Sequence, residues 1–206
     1  MGTKERRARE RHDTRTRILD AARDMFVKDG LEAVTMRNLA EKIEYTPTAI
    51  YHHFRDKQAL LRELVAHDTR ELAQAFQRIG KLEDPIERLR KLGLAYIKFG
   101  LEHPAHYRFL FMVGPPDKSE VDTGNPEEDA FAFLRQTVVD AIATGRLRPE
   151  LKDPDRVAVM CWSMVHGIVS LTIVFGESPW FNWPDVERTG AAALEALTRG
   201  ILRDDG

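Results

Sequence analysis

The chain has 206 residues, 43% of them hydrophobic and 31% charged, with a formal net charge of -2 and a single cysteine. That apolar share can fill a core, which excludes collagen-like and disordered readings, and Cys161 alone excludes an intramolecular disulfide framework. With no apolar stretch behind the basic first residues to act as a secretory signal, a reducing, cytoplasmic setting is expected.

The small net charge hides an asymmetry. Residues 1–57 carry 13 Lys and Arg against 10 Asp and Glu, whereas the remainder carries 18 against 23. Most of the excess lies in the first seventeen residues, where Lys4, Arg6, Arg7, Arg9, Arg11, Arg15 and Arg17 face only Glu5, Glu10 and Asp13. A basic head on an acidic body points the head alone at a polyanion. By itself, such a run is as readily a solvated tail, and residues 1–13 are read as one.

Every strong apolar period is helical and no alternating run with hairpin turns occurs, so an all-α fold of about nine helices is expected. Ile18, Ala21, Ala22, Met25 and Phe26 form the first stripe; Thr14 or Thr16 can start that helix, and Gly30 suits the left-handed position past its end. Thr35 caps a short second helix with Met36, Leu39, Ala40 and Ile43. Thr46 before Pro47 starts a third, ending near His53 or Phe54, and Asp56 caps a long fourth carrying Leu60, Leu61, Leu64, Val65, Leu72, Phe76 and Ile79. Pro85 opens a fifth helix to about Glu102, and Pro104 a sixth to about Met112. Residues 113–127 read as a surface loop. The seventh helix is expected over 126–144, the eighth from Pro154 to Gly176, and the ninth from Pro184 to about Leu202.

The apolar stretch 157–175 would span about 28 Å as a helix, close to a bilayer core. His166, the small polar residues around it and the acidic start favour a helix buried on most sides, in a core or between subunits, and no membrane partner is expected.

Two short helices separated by Glu44, Tyr45 and Thr46 give a helix-turn-helix, in which one helix braces the other in a major groove. Thr46, Thr48 and Ala49 are small enough to approach base edges, while Tyr51 and His52 can donate to phosphates. Lys57 sits in the first turn of the next helix, Thr35 can meet a phosphate, and Arg37 a base or a phosphate. Ile50 and Phe54, four residues apart, turn the other way as anchors.

Residues 17–65, with "AARDMFVKDGLEAVTMRNLA" followed by "TPTAIYHHFRDKQAL", resemble the DNA-binding domain of TetR-family transcriptional regulators. The body, through "AYIKFGLEHPAHYRFLF" and "CWSMVHGIVSL", resembles a C-terminal subclass named for its Trp-His-Gly element. The resemblance implies a DNA-binding domain over 14–60, an effector-binding and dimerisation domain over 61–206, a homodimer, a double-stranded DNA operator and a small-molecule effector. By position it implies DNA contacts from Thr35, Arg37, Thr46, Thr48, Ala49, Tyr51, His52 and Lys57. The family usually has Gly before the turn, where this chain has Glu44. A non-glycine residue there must accept a strained or altered turn, and Tyr45 could compensate by touching the DNA backbone.

Dimerisation is expected on the last two long helices, through Val169, Ile173, Ala192, Ala193 and Ala196. Aromatic density in the body suggests a largely apolar ligand among Tyr96, Phe99, Tyr107, Phe111, Phe131, Leu134 and Trp162, with His103 and His166 as polar fixers. The function expected is a repressor released from a palindromic operator by that ligand. Other classes are a helical binding module without DNA function and a metal-dependent enzyme. Pro104 separates His103 from His106, and Cys161 and His166 are five apart on one helix, so no metal, cofactor or catalytic residue is assigned.

Overall fold

The computed structural model describes residues 2–113, 124–179 and 182–203, so most of the expected surface loop, 114–123, lies outside the described residues. Among the described residues there are nine helices: α1 (Thr3–Asp29), α2 (Met36–Lys42), α3 (Pro47–Tyr51), α4 (Lys57–Gln77), α5 (Pro85–Glu102), α6 (Pro104–Phe111), α7 (Ala130–Ala143), α8 (Pro154–Phe175) and α9 (Val186–Ile201). Extended pairing among them is limited to an isolated antiparallel bridge between Leu147 and Leu202. The described residues divide into two compact units, one comprising 2–68 and 105–113, the other 69–104 and the described residues from 124 onward.

In the first unit, α1 starts at Thr3, eleven residues before Thr14, so the expected tail is helical. The Gly2 N–H donates to the Glu5 carboxylate at 3.0 Å, Arg6 pairs with Glu10 at 3.5 Å, and the run is rich in arginine, a strong helix former. The helix ends at Gly30, whose φ is 81° and whose N–H donates to the Phe26 carbonyl at 3.1 Å. Ile18, Leu19, Ala22 and Phe26 of α1 meet Leu39, Ile50, Phe54, Leu60 and Leu64 in one core, which Phe109 and Leu110 of α6 complete. Phe26 stacks on Phe109 with ring centres 6.0 Å apart.

In the second unit, α5 packs against α7, α8 and α9. Its approach to α9 is close and reciprocal: a Cβ on Gly93 would lie 2.3 Å from Leu194, and one on Gly190 would lie 2.5 Å from Ile97. Two helices begin later than their prolines suggest. Asp129 accepts the Phe131 N–H at 2.8 Å to start α7, and Asp185 accepts the Arg188 N–H at 2.8 Å to start α9. The apolar α8 is long enough to cross a membrane, and 22% of its apolar window is buried within the chain, so of the two expected settings, a core or a subunit boundary, the core of one chain does not account for it. Val157, Ala158, Val165 and Val169 face inward, whereas Val159, Leu171 and Val174 are 47%, 48% and 55% exposed.

Candidate functional site

The helix-turn-helix is assembled by local hydrogen bonds. Thr35 accepts the Asn38 N–H at 3.1 Å while the Asn38 side chain accepts the Thr35 N–H at 2.7 Å, a reciprocal cap that fixes the start of α2. At its other end the Tyr45 N–H donates to the Ala40 carbonyl at 2.9 Å, and the Glu44 N–H to that of Glu41 at 3.2 Å. This pair of bonds closes a Schellman turn, whose penultimate position demands a left-handed residue. Glu44 fills it with φ 60°, alone among the described non-glycine residues at positive φ. Thr46 then caps α3 by accepting the Ala49 N–H at 3.2 Å, and Pro47 occupies the first helical position.

α3 is five residues long, shorter than expected, because a tighter turn through His53 and Phe54 takes over after Tyr51. Ile50 and Phe54 are buried, while Thr46, Thr48, Tyr51 and His52 are exposed and Ala49 is half-buried. Thr35 and Arg37 are exposed as well; Arg37 reaches Glu41 at 3.4 Å. Tyr45 is half-buried against the core, with the Arg17 guanidinium 5.6 Å from its ring centre and donating to its hydroxyl at 3.4 Å. Lys57 begins α4 with its ammonium donating to the Leu31 carbonyl, 5.9 Å from the Phe26 ring centre.

Arg15 braces the exit of α3. Its guanidinium donates to the His53 carbonyl at 3.0 Å, stacks over Phe54 at 4.5 Å and pairs with Glu63 at 3.2 Å. Burial, then the charges of Arg11, Arg15 and His52, push the His53 imidazole below its ordinary value. This role of Arg15 escapes sequence reasoning; the available signal is its place one turn before Ile18 on the stripe of α1.

In the second unit, four expected ligand residues come together. The Trp162 indole N–H donates to the Tyr96 hydroxyl oxygen at 3.1 Å, Tyr96 lies 2.9 Å from Nδ1 of His166, and Phe131 packs 5.8 Å from Trp162. Burial pushes the His166 imidazole below its ordinary value, so a neutral ring accepts from Tyr96. Phe99 and Leu134 are buried, and Phe99 is 5.1 Å from the ring of His103, which is exposed at the end of α5. Tyr107 and Phe111 belong to the first unit, where their rings pair at 4.9 Å. Of the expected dimer residues, Ala192 and Ala196 are exposed, Ile173 and Ala193 half-buried, and Val169 fully buried within the chain.

Residues 18–64, which hold the helix-turn-helix, match the family described as bacterial regulatory proteins, tetR family. Residues 89–197, 109 of the 206, match the tetracyclin repressor-like C-terminal domain. The chain belongs to the TetR family. Among curated members it is 29% identical over 93 residues to the HTH-type transcriptional regulator UidR of Escherichia coli K12, covering 45% of this chain but only 42% of UidR. It is 28% identical to the probable HTH-type transcriptional regulator ArpR of Pseudomonas putida over 182 residues, 82% of this chain and 84% of ArpR. Solved TetR-family structures share the fold: a regulator from Marinobacter aquaeolei superimposes with a TM-score of 0.76 at 18% identity, covering 95% of this chain and all of the other. The ketosteroid regulator KstR2 of Mycobacterium tuberculosis gives 0.67 at 21% identity, covering 93% and 96%.

Proposed function

We propose that this TetR-family chain is a cytoplasmic, homodimeric transcriptional repressor that binds a palindromic operator and is released from it by a small, largely apolar ligand. The observation that carries the DNA reading is the two-sidedness of α3, with Ile50 and Phe54 locked in the core and Thr48, Tyr51 and His52 turned out. Thr46, Thr48 and Ala49 are assigned to base edges; Thr35, Tyr51, His52 and Lys57 to phosphates; and Arg37 to either. Tyr45 is assigned a backbone contact. Relatives named as transcriptional regulators support binding rather than catalysis.

The homodimer is supported by the apolar stripe of α8, where Val159, Leu171 and Val174 stay exposed, beside Ala192 and Ala196 of α9. A two-fold pairing of α8 and α9 would cover that stripe and give each half-site one α3. The ligand is assigned to the aromatic set around Trp162 and His166, in a body of the Trp-His-Gly kind, because aromatic side chains with a few polar fixers suit a small, largely apolar molecule. Such a ligand releases DNA only if it prefers the state that binds the operator less well.

The test is capture of genomic fragments by the purified chain, followed by sequencing. A shared palindrome is expected, occupied by two protomers; recovery of no common sequence would defeat the reading.

A further inference from the structure

We propose that the face of α1 bearing Lys4, Arg7 and Arg11 is a second DNA surface, which holds backbone phosphates outside the bases met by α3. The inference rests on the DNA-binding reading above. At about 100° per residue, Lys4, Arg7, Arg11 and Arg15 fall within an arc of about 80°, and Ile18 and Ala22 lie on the same arc further along. The stripe that packs into the core therefore continues beyond the domain edge as a basic stripe, for residues 2–13 are all exposed. Glu5, Asp13, Arg6 and Arg17 lie on the other side of the helix, where Arg17 engages Tyr45, and Glu10, at the flank about 60° from Arg7, pairs with Arg6. Among the described residues, no ion pair within 4.0 Å involves Lys4, Arg7 or Arg11.

The stripe also leads away from α3. Arg15, where it meets the domain, holds the His53 carbonyl at the exit of that helix, and the charge of Arg11 is felt at the His53 ring. From Lys4 to Arg11 the helix rises about 10 Å, the axial distance over which one DNA strand offers about three phosphates. A row of three cations continuous with an operator-reading helix fits the phosphodiester backbone beside the half-site.

The experiment compares the full-length chain with Lys4→Gln/Arg7→Gln/Arg11→Gln, and with the opposite-face variant Arg6→Gln/Arg9→Gln, for affinity to its selected operator across a salt series. Glutamine keeps helix propensity, and unchanged melting verifies the fold. The triple variant is expected to lose about 2.7 from the slope of log affinity against log salt per protomer, at about 0.9 per phosphate, with the selected sequence unchanged. The opposite-face variant should keep its slope. A wild-type slope in the triple variant, or the same per-charge loss in both variants, overturns the assignment. A wild-type chain with no duplex affinity defeats the DNA reading itself.

Discussion

Arg23 and Asp68, 45 residues apart, clasp each other inside the first unit through two hydrogen bonds. Arg23 Nε donates to Oδ2 at 2.8 Å and Nη2 donates to Oδ1 at 2.6 Å, with both side chains buried. Asp20 takes a further guanidinium N–H at 2.8 Å, and His67 and His106 present Nδ1 to the same Asp68 oxygen at 3.2 and 3.5 Å. Burial opposes ionisation of Asp68, but the bonds from His67 and Arg23 and the charge of Arg23 outweigh it and hold the carboxyl below its usual value.

Asp68→Asn should therefore cost about 3–5 kcal/mol in chemical denaturation at neutral pH, because a buried guanidinium loses its counter-charge. The depressed value means that the contribution is present above the ordinary carboxylate range and is lost as pH falls below about 4. The variant's stability should accordingly fall less steeply than the wild type's in acid.

Glu44→Gly should relieve the left-handed strain at the turn and raise stability by up to about 1 kcal/mol, after the greater unfolded-state freedom of glycine is allowed for. It should also tighten operator binding by removing a carboxylate beside the phosphates. Glu44→Ala removes the charge while leaving the strain, so equal stability gains in the two variants would defeat the backbone explanation.

Tyr51→Ala should leave melting nearly unchanged, since the ring is 53% exposed, while weakening operator binding roughly tenfold or more through a lost phosphate contact. Ile50→Ala, at the buried position beside it, should instead cost about 2–5 kcal/mol. Denaturation and anisotropy measured on both variants separate the two faces of α3.

The neutral His166 predicts a pH response in the second unit. Its folded-state value lies below the unfolded one, so its contribution is present above about pH 6.5 and is lost as pH falls through the lower folded value. Melting temperature should drop between pH 7 and 5, and His166→Gln should flatten part of that drop. His53, also shifted down, accounts for a further part.

One substitution should have opposite signs at two glycines. Gly93→Ala drives a methyl into Leu194 and should destabilise by about 1 kcal/mol or more. Gly200→Ala meets nothing within 4 Å and should stabilise by about 0.5–1 kcal/mol. Thermal unfolding of the two variants decides the matter.

The helix boundaries legible in the sequence are those that local chemistry writes. Thr35, Thr46, Asp56, Pro85, Pro104 and Pro154 stand at or one residue outside the starts of their helices, since a capping oxygen or a proline acts within one turn. The start of α1 is hidden because the basic run has no apolar period to reveal it. Asp129 and Asp185 cap their helices three residues after Pro126 and one residue after Pro184, the prolines that sequence alone favours as starts. The Arg23–Asp68 clasp leaves no local trace, and neither does the grouping of α6 with the first unit. Tyr107 shares the aromatic composition of its neighbours and is distinguished from them only by packing.

The continuity of α1 from Thr3 to Asp29 gives the molecule a phase. A single residue inserted between Arg11 and Arg15 would swing Lys4, Arg7 and Arg11 by about 100° about the helix axis, although their charge and number stayed the same. Four inserted residues would bring them back to within about 40° of their original bearing, one turn further out. Insertions at this place act as a dial rather than as added slack.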